Sequence, residues 1–205
     1  MDGKNILILG GTGDAISIAE KLSLIENYKI ITSLAGVTQK PRLPIGKAHI
    51  GGFGGREGLI NFLEANKINL IVDATHPFST QIKENAIFAS NELSVPIIHF
   101  VRDQWKMEIG DKWHMVDNLP EASNKLRELS STRKLKVFLS VGRKGLADFA
   151  DILNSKFVIR SIEKPSALEG FSRAEWIEGR GPFSFDNELK LLQQEQIDII
   201  VTKNS

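Results

Sequence analysis

An apolar run from Asn5 to Leu9 passes directly into Gly10-Gly11-Thr12-Gly13. A segment from Asp14 to Leu24 follows, with Ile16, Ala19 and Leu22 at three- and four-residue spacings. Strand, glycine turn and helix in that order predict the opening βαβ unit of a parallel sheet. Glycine lets the backbone approach a pyrophosphate closely, and the free N–H groups and positive dipole end of the following helix attract an anion. Thr12 adds a hydroxyl. The third glycine of G-x-G-x-x-G falls on Ile16, so the helix stands further from the sheet than in the standard dinucleotide turn. A tight strand-to-helix turn without a ligand is the competing reading.

The same rhythm continues along the chain. Strands are predicted near residues 29–33, 69–73 and 96–101, with packing helices over 58–65 and 80–93. After Arg102 a polar stretch with Trp105, Gly110 and Trp113 reads as a link. Beyond it, strands near 137–140, 157–160, 174–177 and 198–202 alternate with helices near 119–129 and 185–194. The fold class is therefore α/β, with two Rossmann-like parallel-sheet domains, 1–102 and 103–205, and a cleft between them as the natural ligand site. Only Thr202, Lys203, Asn204 and Ser205 follow the last apolar strand, where a parallel unit normally enters a helix. The second domain thus reads as incomplete, with apolar surface that promotes dimerisation or instability.

Composition removes several classes of function. Lys plus Arg (26) balances Asp plus Glu (25), so no net field draws the chain to nucleic acid or an anionic membrane. The absence of cysteine removes disulfides, thiolate catalysis and zinc ribbons. No signal peptide or bilayer-length apolar run is present, so a cytoplasmic location is expected. His49, His99 and His114 sit in strand-like runs without partners at metal-ligand spacing, so they read as structural and no metal is expected. Tyr28, the single tyrosine, has no lysine four residues on, and phosphate-loop, serine-elbow and zinc-protease signatures are missing. Hydride transfer survives this elimination, because there the cofactor supplies the chemistry.

A dinucleotide site specific for NAD carries an acid about 20 residues past the turn, to hold the ribose 2′-hydroxyl. Here Thr32 and Ser33 occupy that place, with Lys40 and Arg42 shortly after, which favours NADPH. Three strand ends carry small or polar clusters that should converge: Ser33-Leu34-Ala35-Gly36, Gly51-Gly52-Phe53-Gly54-Gly55 and Asp73-Ala74-Thr75-His76-Pro77-Phe78. His76 is placed to bind an anionic group or donate a proton. In the second half Arg143 and Lys144, Arg180, and Lys203 each follow a predicted strand, which suggests a surface for carboxylates or phosphates.

Taken in order, these stretches, with Arg180-Gly181-Pro182-Phe183 and Val201-Thr202-Lys203-Asn204-Ser205, resemble the precorrin-6A reductase family of cobalamin biosynthesis. The resemblance implies NADPH-dependent reduction of one double bond of the precorrin-6A or cobalt-precorrin-6A macrocycle. It assigns the cofactor to Gly10, Gly11, Thr12, Gly13, Ser33, Ala35, Gly36, Gly51, Gly52, Phe53, Gly54 and Thr75. It assigns the carboxylate-rich macrocycle to His76, Pro77, Phe78, Arg143, Arg180, Lys203, Asn204 and Ser205, and leaves water, Ser17, Asp73 and His76 as proton sources. The family continues past Lys-Asn-Ser into a glycine pair, a helix and a strand. A catalytically silent NADP(H)-binding module and a nucleotide-sugar- or SAM-binding α/β enzyme are the alternative readings.

Overall fold

Ile6, Leu7, Ile8 and Leu9 are all fully buried, as expected for a strand covered on both faces in a parallel sheet. They belong to β1 (Lys4–Leu9), the centre of a five-stranded sheet in the computed structural model of the protein. The structure describes residues 3–36 and 43–204, and the backbone alone of Lys144. Lys40, Arg42 and Ser205 therefore lie outside the described residues.

The first sheet adds β2 (Tyr28–Leu34), β3 (Lys47–Ile50), β4 (Ile68–Asp73) and β5 (Ile97–His99) in the order β3-β2-β1-β4-β5. Every pairing is parallel. Alternate residues of β1 feed two cores, as a period of two requires. Ile6 and Ile8 pack with Ala15 and Ala19 of α1 (Gly13–Ser23). Leu7 and Leu9 pack with Leu59 and Leu63 of α2 (Gly55–Ala65) and Ala86 and Ala89 of α3 (Thr80–Leu93).

The second sheet has the order β8-β7-β6-β9, again all parallel. Its strands are β6 (Leu135–Leu139), β7 (Ser155–Ser161), β8 (Ala174–Glu178) and β9 (Ile199–Val201). Val137, Leu139, Phe157 and Ile159 form its core with Leu126 of α4 (Leu119–Ser130), Phe149, Ile152 and Phe171. The central strand β6 leads into 3-10 turns, Arg143–Gly145 and Ala147–Phe149, rather than an α-helix. One α-helix, α5 (Phe185–Gln194), links β8 to β9 and buries none of its residues.

The described residues cluster into two compact units, one running through Gln104 and the other Trp105–Asn204. The helix-period segments fold as expected, with α2 starting earlier, at Gly55. The run around His114 forms neither helix nor strand, and β5 stops at His99 rather than continuing to Val101. Both segments place apolar side chains in water, Met115, Val116, Phe100 and Val101 among them, so no sheet face rewards the extended conformation.

Candidate functional site

In the first sheet the chain steps outward from β1 to β2 and β3 on one side and to β4 and β5 on the other, so β1 and β4 flank the switch point. Ligands of open parallel sheets bind beyond the carboxyl ends of the strands there. The loops after β1 and β4 are joined at that place. The Thr12 hydroxyl donates to the Ala74 carbonyl at 2.7 Å, while its oxygen accepts from the Ala15 N–H at 3.2 Å as the N-cap of α1. The Ala74 N–H donates to the Leu9 carbonyl at 3.0 Å.

The two leading glycines of the turn serve different ends. A Cβ on Gly10 would lie 2.7 Å from the Ser33 carbonyl oxygen and 2.9 Å from Thr32 Cγ2, so Gly10 is required by close packing on β2. Gly11 has φ +107° and nothing within 4 Å of such a Cβ, so its backbone borders open space. Gly13 opens α1, whose first N–H groups have no intrahelical acceptor. Asp14, also in that first turn, would repel an anion, but Arg102 neutralises it. The Arg102 Nε donates to Asp14 Oδ2 at 2.6 Å, and a terminal guanidinium nitrogen reaches the same oxygen.

Neighbouring strand ends bring further expected residues to this edge. Ser33 ends buried on β2, and Ala35 and Gly36 follow it exposed. The Gly51 N–H donates to the Leu34 carbonyl at 2.8 Å. Gly51, Gly54 and Gly55 all have positive φ, and a Cβ on any of them or on Gly52 would meet nothing within 4 Å. This second glycine loop is thus an open backbone cradle. Phe53, expected beside the cofactor, stacks its ring on His49 at 4.7 Å and meets Phe62 edge-on at 5.0 Å. It anchors the loop to the core while the glycines around it stay open.

Asp73, at the end of β4, is 1% exposed. Its Oδ1 accepts from the Thr75 hydroxyl at 2.7 Å and the Thr75 N–H at 3.1 Å. Its Oδ2 lies 3.0 Å from His99 Nδ1 and 3.4 Å from the Lys83 ammonium. Burial by itself raises the carboxyl pKa, but the Thr75 hydroxyl, the His99 ring, the Thr75 N–H and the Lys83 charge together outweigh it and hold the group below the usual carboxylate value. Asp73 is therefore ionised at neutral pH and anchors the turn through Thr75. Thr75 is buried with it.

The anchored turn leads to His76, whose Nδ1 accepts the Phe78 N–H at 3.3 Å. In the neutral ring this leaves the proton on Nε2. Phe78 is exposed beside it, with ring centroids 5.7 Å apart, and Pro77 lies between them. Ser17 is exposed on the face of α1 opposite the buried Ala15 and Ala19.

The basic residues expected at strand ends of the second unit also lie at one edge. The switch point there falls between β6 and β9, where the Ser140 N–H donates to the Val201 carbonyl at 3.0 Å. Arg143 follows β6, Lys203 follows β9 and Arg180 follows β8, exposed. Arg143 is paired with Glu163 at 2.8 Å, an exposed ion pair of small worth. The Asn204 side chain, expected at the macrocycle, accepts from the Trp105 N–H at 2.8 Å and donates to the Trp105 carbonyl at 3.3 Å. Both polar ends of that amide are committed to the backbone.

Sequence reasoning missed His99, Lys83 and Arg102. The signal for His99 was register, because Asp73 and His99 are partners across β4 and β5. Among the described residues no cluster of His, Asp and Glu could hold a metal ion. No helix among them is long and apolar enough to cross a membrane.

A parallel sheet with a capped glycine turn at its switch point defines a Rossmann-like α/β protein. Comparison with known proteins narrows the class. The family model described as precorrin-6x reductase CbiJ/CobK matches residues 5–205. The chain is 39% identical to the precorrin-6A reductase of Rhodococcus erythropolis over 98% of its length and 79% of that protein. It is 28% identical to the cobalt-precorrin-6A reductase of Methanococcus maripaludis, over 98% of this chain and 81% of the relative. The solved structure of CobK precorrin-6A reductase superposes with a TM-score of 0.90 at 32% identity, covering 98% of this chain and 78% of that one. The chain belongs to the precorrin-6x reductase family, oxidoreductases of cobalamin biosynthesis that act on a tetrapyrrole, and a reductase of this kind implies a nicotinamide cofactor.

Proposed function

We propose that this protein is an NADPH-dependent reductase of the precorrin-6A macrocycle, with or without cobalt, and that the carboxyl edge of the first sheet holds the dinucleotide. The observation that carries this reading is the pair of open glycine backbones, Gly11 and the Gly51–Gly55 loop, on strand ends that carry no acid at Ser33. A Cβ-free backbone at a helix N-terminus fits a diphosphate. A hydroxyl where an NAD site has a carboxylate leaves room for a 2′-phosphate. Among the described residues of the second unit, the central strand β6 opens into 3-10 turns instead of a helix N-terminus.

When bound, the nicotinamide supplies the hydride. The residues of this chain do the rest. Gly10 to Gly13 and the Gly51 loop orient the dinucleotide, with Arg102 cancelling the charge of Asp14. Asp73 fixes the turn through Thr75, and the Nε2–H of His76 donates a hydrogen bond to the reacting edge of the macrocycle while water supplies the proton. Arg143, Arg180 and Lys203 take macrocycle carboxylates, Arg143 by exchanging Glu163 for the substrate.

The test is titration of the purified protein with NADPH and with NADH, followed by NADPH oxidation in the presence of precorrin-6A and of its cobalt form. Tighter binding of NADPH with turnover of one macrocycle is expected. Equal affinity for the two nucleotides would overturn the cofactor assignment, and absence of turnover with both macrocycles the substrate assignment.

A further inference from the structure

Arg160, one residue from the end of β7, has a side chain only 10% exposed. Its two terminal nitrogens meet the two carboxylate oxygens of Glu188 on α5 at 2.5 and 2.7 Å. This fork-to-fork pair fixes the guanidinium plane as well as its charge. The same guanidinium lies 3.7 Å from the ring centroid of Phe183 and 4.9 Å from that of Phe138 on β6. One side chain therefore ties together β6, β7, α5 and the loop that follows β8.

That loop is Gly179-Arg180-Gly181-Pro182-Phe183. A Cβ on Gly179 would lie 2.9 Å from Arg160 Cδ and 3.2 Å from the Phe183 ring, and one on Gly181 would lie 3.4 Å from the same ring. Phe183 thus folds back across both glycines that flank Arg180. Although 42% exposed, the ring is held at the surface by the cation against it. Arg160 does not meet a ligand carboxylate itself, because Glu188 already occupies its fork. What it contributes is a flat, charged platform, which lysine cannot copy because its ammonium is a point charge.

We propose that Arg160 is a positioning residue: its guanidinium stacks against Phe183, sets the conformation of the Gly179–Phe183 loop and so fixes where Arg180 meets a carboxylate of the substrate. This rests on the reading of Arg180 as a carboxylate contact. The two ideas separate experimentally.

The test compares Phe183→Leu, Phe183→Tyr, Arg160→Lys and Arg180→Ala by equilibrium binding of precorrin-6A, by KM and kcat, and by NADPH affinity. Phe183→Leu and Arg160→Lys are expected to weaken macrocycle binding and raise its KM roughly two- to tenfold, the range of a cation–π contact. NADPH affinity and kcat should stay as in the parent protein. Phe183→Tyr keeps a ring and should behave as the parent. In an Arg180→Ala background, Phe183→Leu should add nothing further. Should Arg160→Lys fail to fold, the Phe183 pair still decides, since it alters a ring at the surface. Normal macrocycle binding by Phe183→Leu beside weakened binding by Arg180→Ala would overturn the positioning role alone. Normal binding by Arg180→Ala would overturn the reading of Arg180 and the positioning role with it.

Discussion

Replacing Asp73 by Asn keeps the shape of the side chain and removes its charge. One amide oxygen can still accept both bonds from Thr75, at 2.7 and 3.1 Å in the parent. The amide NH2 then faces His99 and Lys83, which in the parent both approach Oδ2. A hydrogen bond to a charged group contributes about 1.5–3 kcal/mol. Lys83 and His99 keep 25% and 35% of their side chains exposed, so water recovers part of the loss and the Lys83 pair is discounted to under about 1 kcal/mol. The expected destabilisation is about 2 kcal/mol, a fall of about 1 M in the urea midpoint at a slope of about 2 kcal/mol per M. The sign of the pH dependence follows from the lowered carboxyl pKa. The contribution is fully present above the unfolded value of 3.8 and is lost as pH falls through the lower folded value. Urea unfolding at about pH 7 and about pH 3 checks this. Circular dichroism follows both units, while Trp105, Trp113 and Trp176, all in the second unit, supply a fluorescence reference. A gap between parent and variant that is equally large at the two pH values would refute the argument that Asp73 acts as a buried ion.

Two further substitutions probe the cofactor edge. Gly10→Ala forces a Cβ against the Ser33 carbonyl at 2.7 Å and should cost about 1–3 kcal/mol as an overpacked contact, read as a lower midpoint together with weaker NADPH binding. An unchanged midpoint would show that β2 gives way freely. Ser33→Asp places a carboxylate where the 2′-phosphate is expected and should shift the NADPH-to-NADH affinity ratio by about tenfold or more towards NADH. A ratio that stays constant in nucleotide titration would place the ribose elsewhere.

The glycine turn, the alternation of strands and helices and the parallel class were legible because each depends on local spacing. The strand β3 was harder to delimit. Lys47-Ala48-His49-Ile50 is half exposed, with little apolar run to detect, and the Gly46 and Gly51 that bound it both have positive φ. The residues around Asp73 were recognised, but not what they do. Asp73 and His99 meet only because β4 and β5 align in register, and Lys83 reaches them from the first turn of α3. The packing of Phe53 was hidden for the same reason. Its glycine neighbours announce an open loop, while the His49 and Phe62 rings that hold it arrive from β3 and from the far end of α2. Arg160 carries no motif, since a lone arginine in an apolar strand looks the same whether it faces solvent or a stacked ring.

The placement of β1 at the centre of its sheet has a consequence for synthesis. β1 pairs on one side with β2, which follows it closely in the chain, yet its other neighbour, β4, begins only at Ile68. At about 5–20 residues per second, its second row of hydrogen-bond partners stays exposed for several seconds. The nascent segment therefore offers an unsatisfied edge, aliphatic from Ile6 to Leu9, of the kind on which chaperones and stray strands compete. In the second sheet β6 likewise pairs with β7 long before β9 emerges. Charged residues such as Lys4 at the start of β1 and Lys134 just before β6 are the gatekeepers that such a delay calls for.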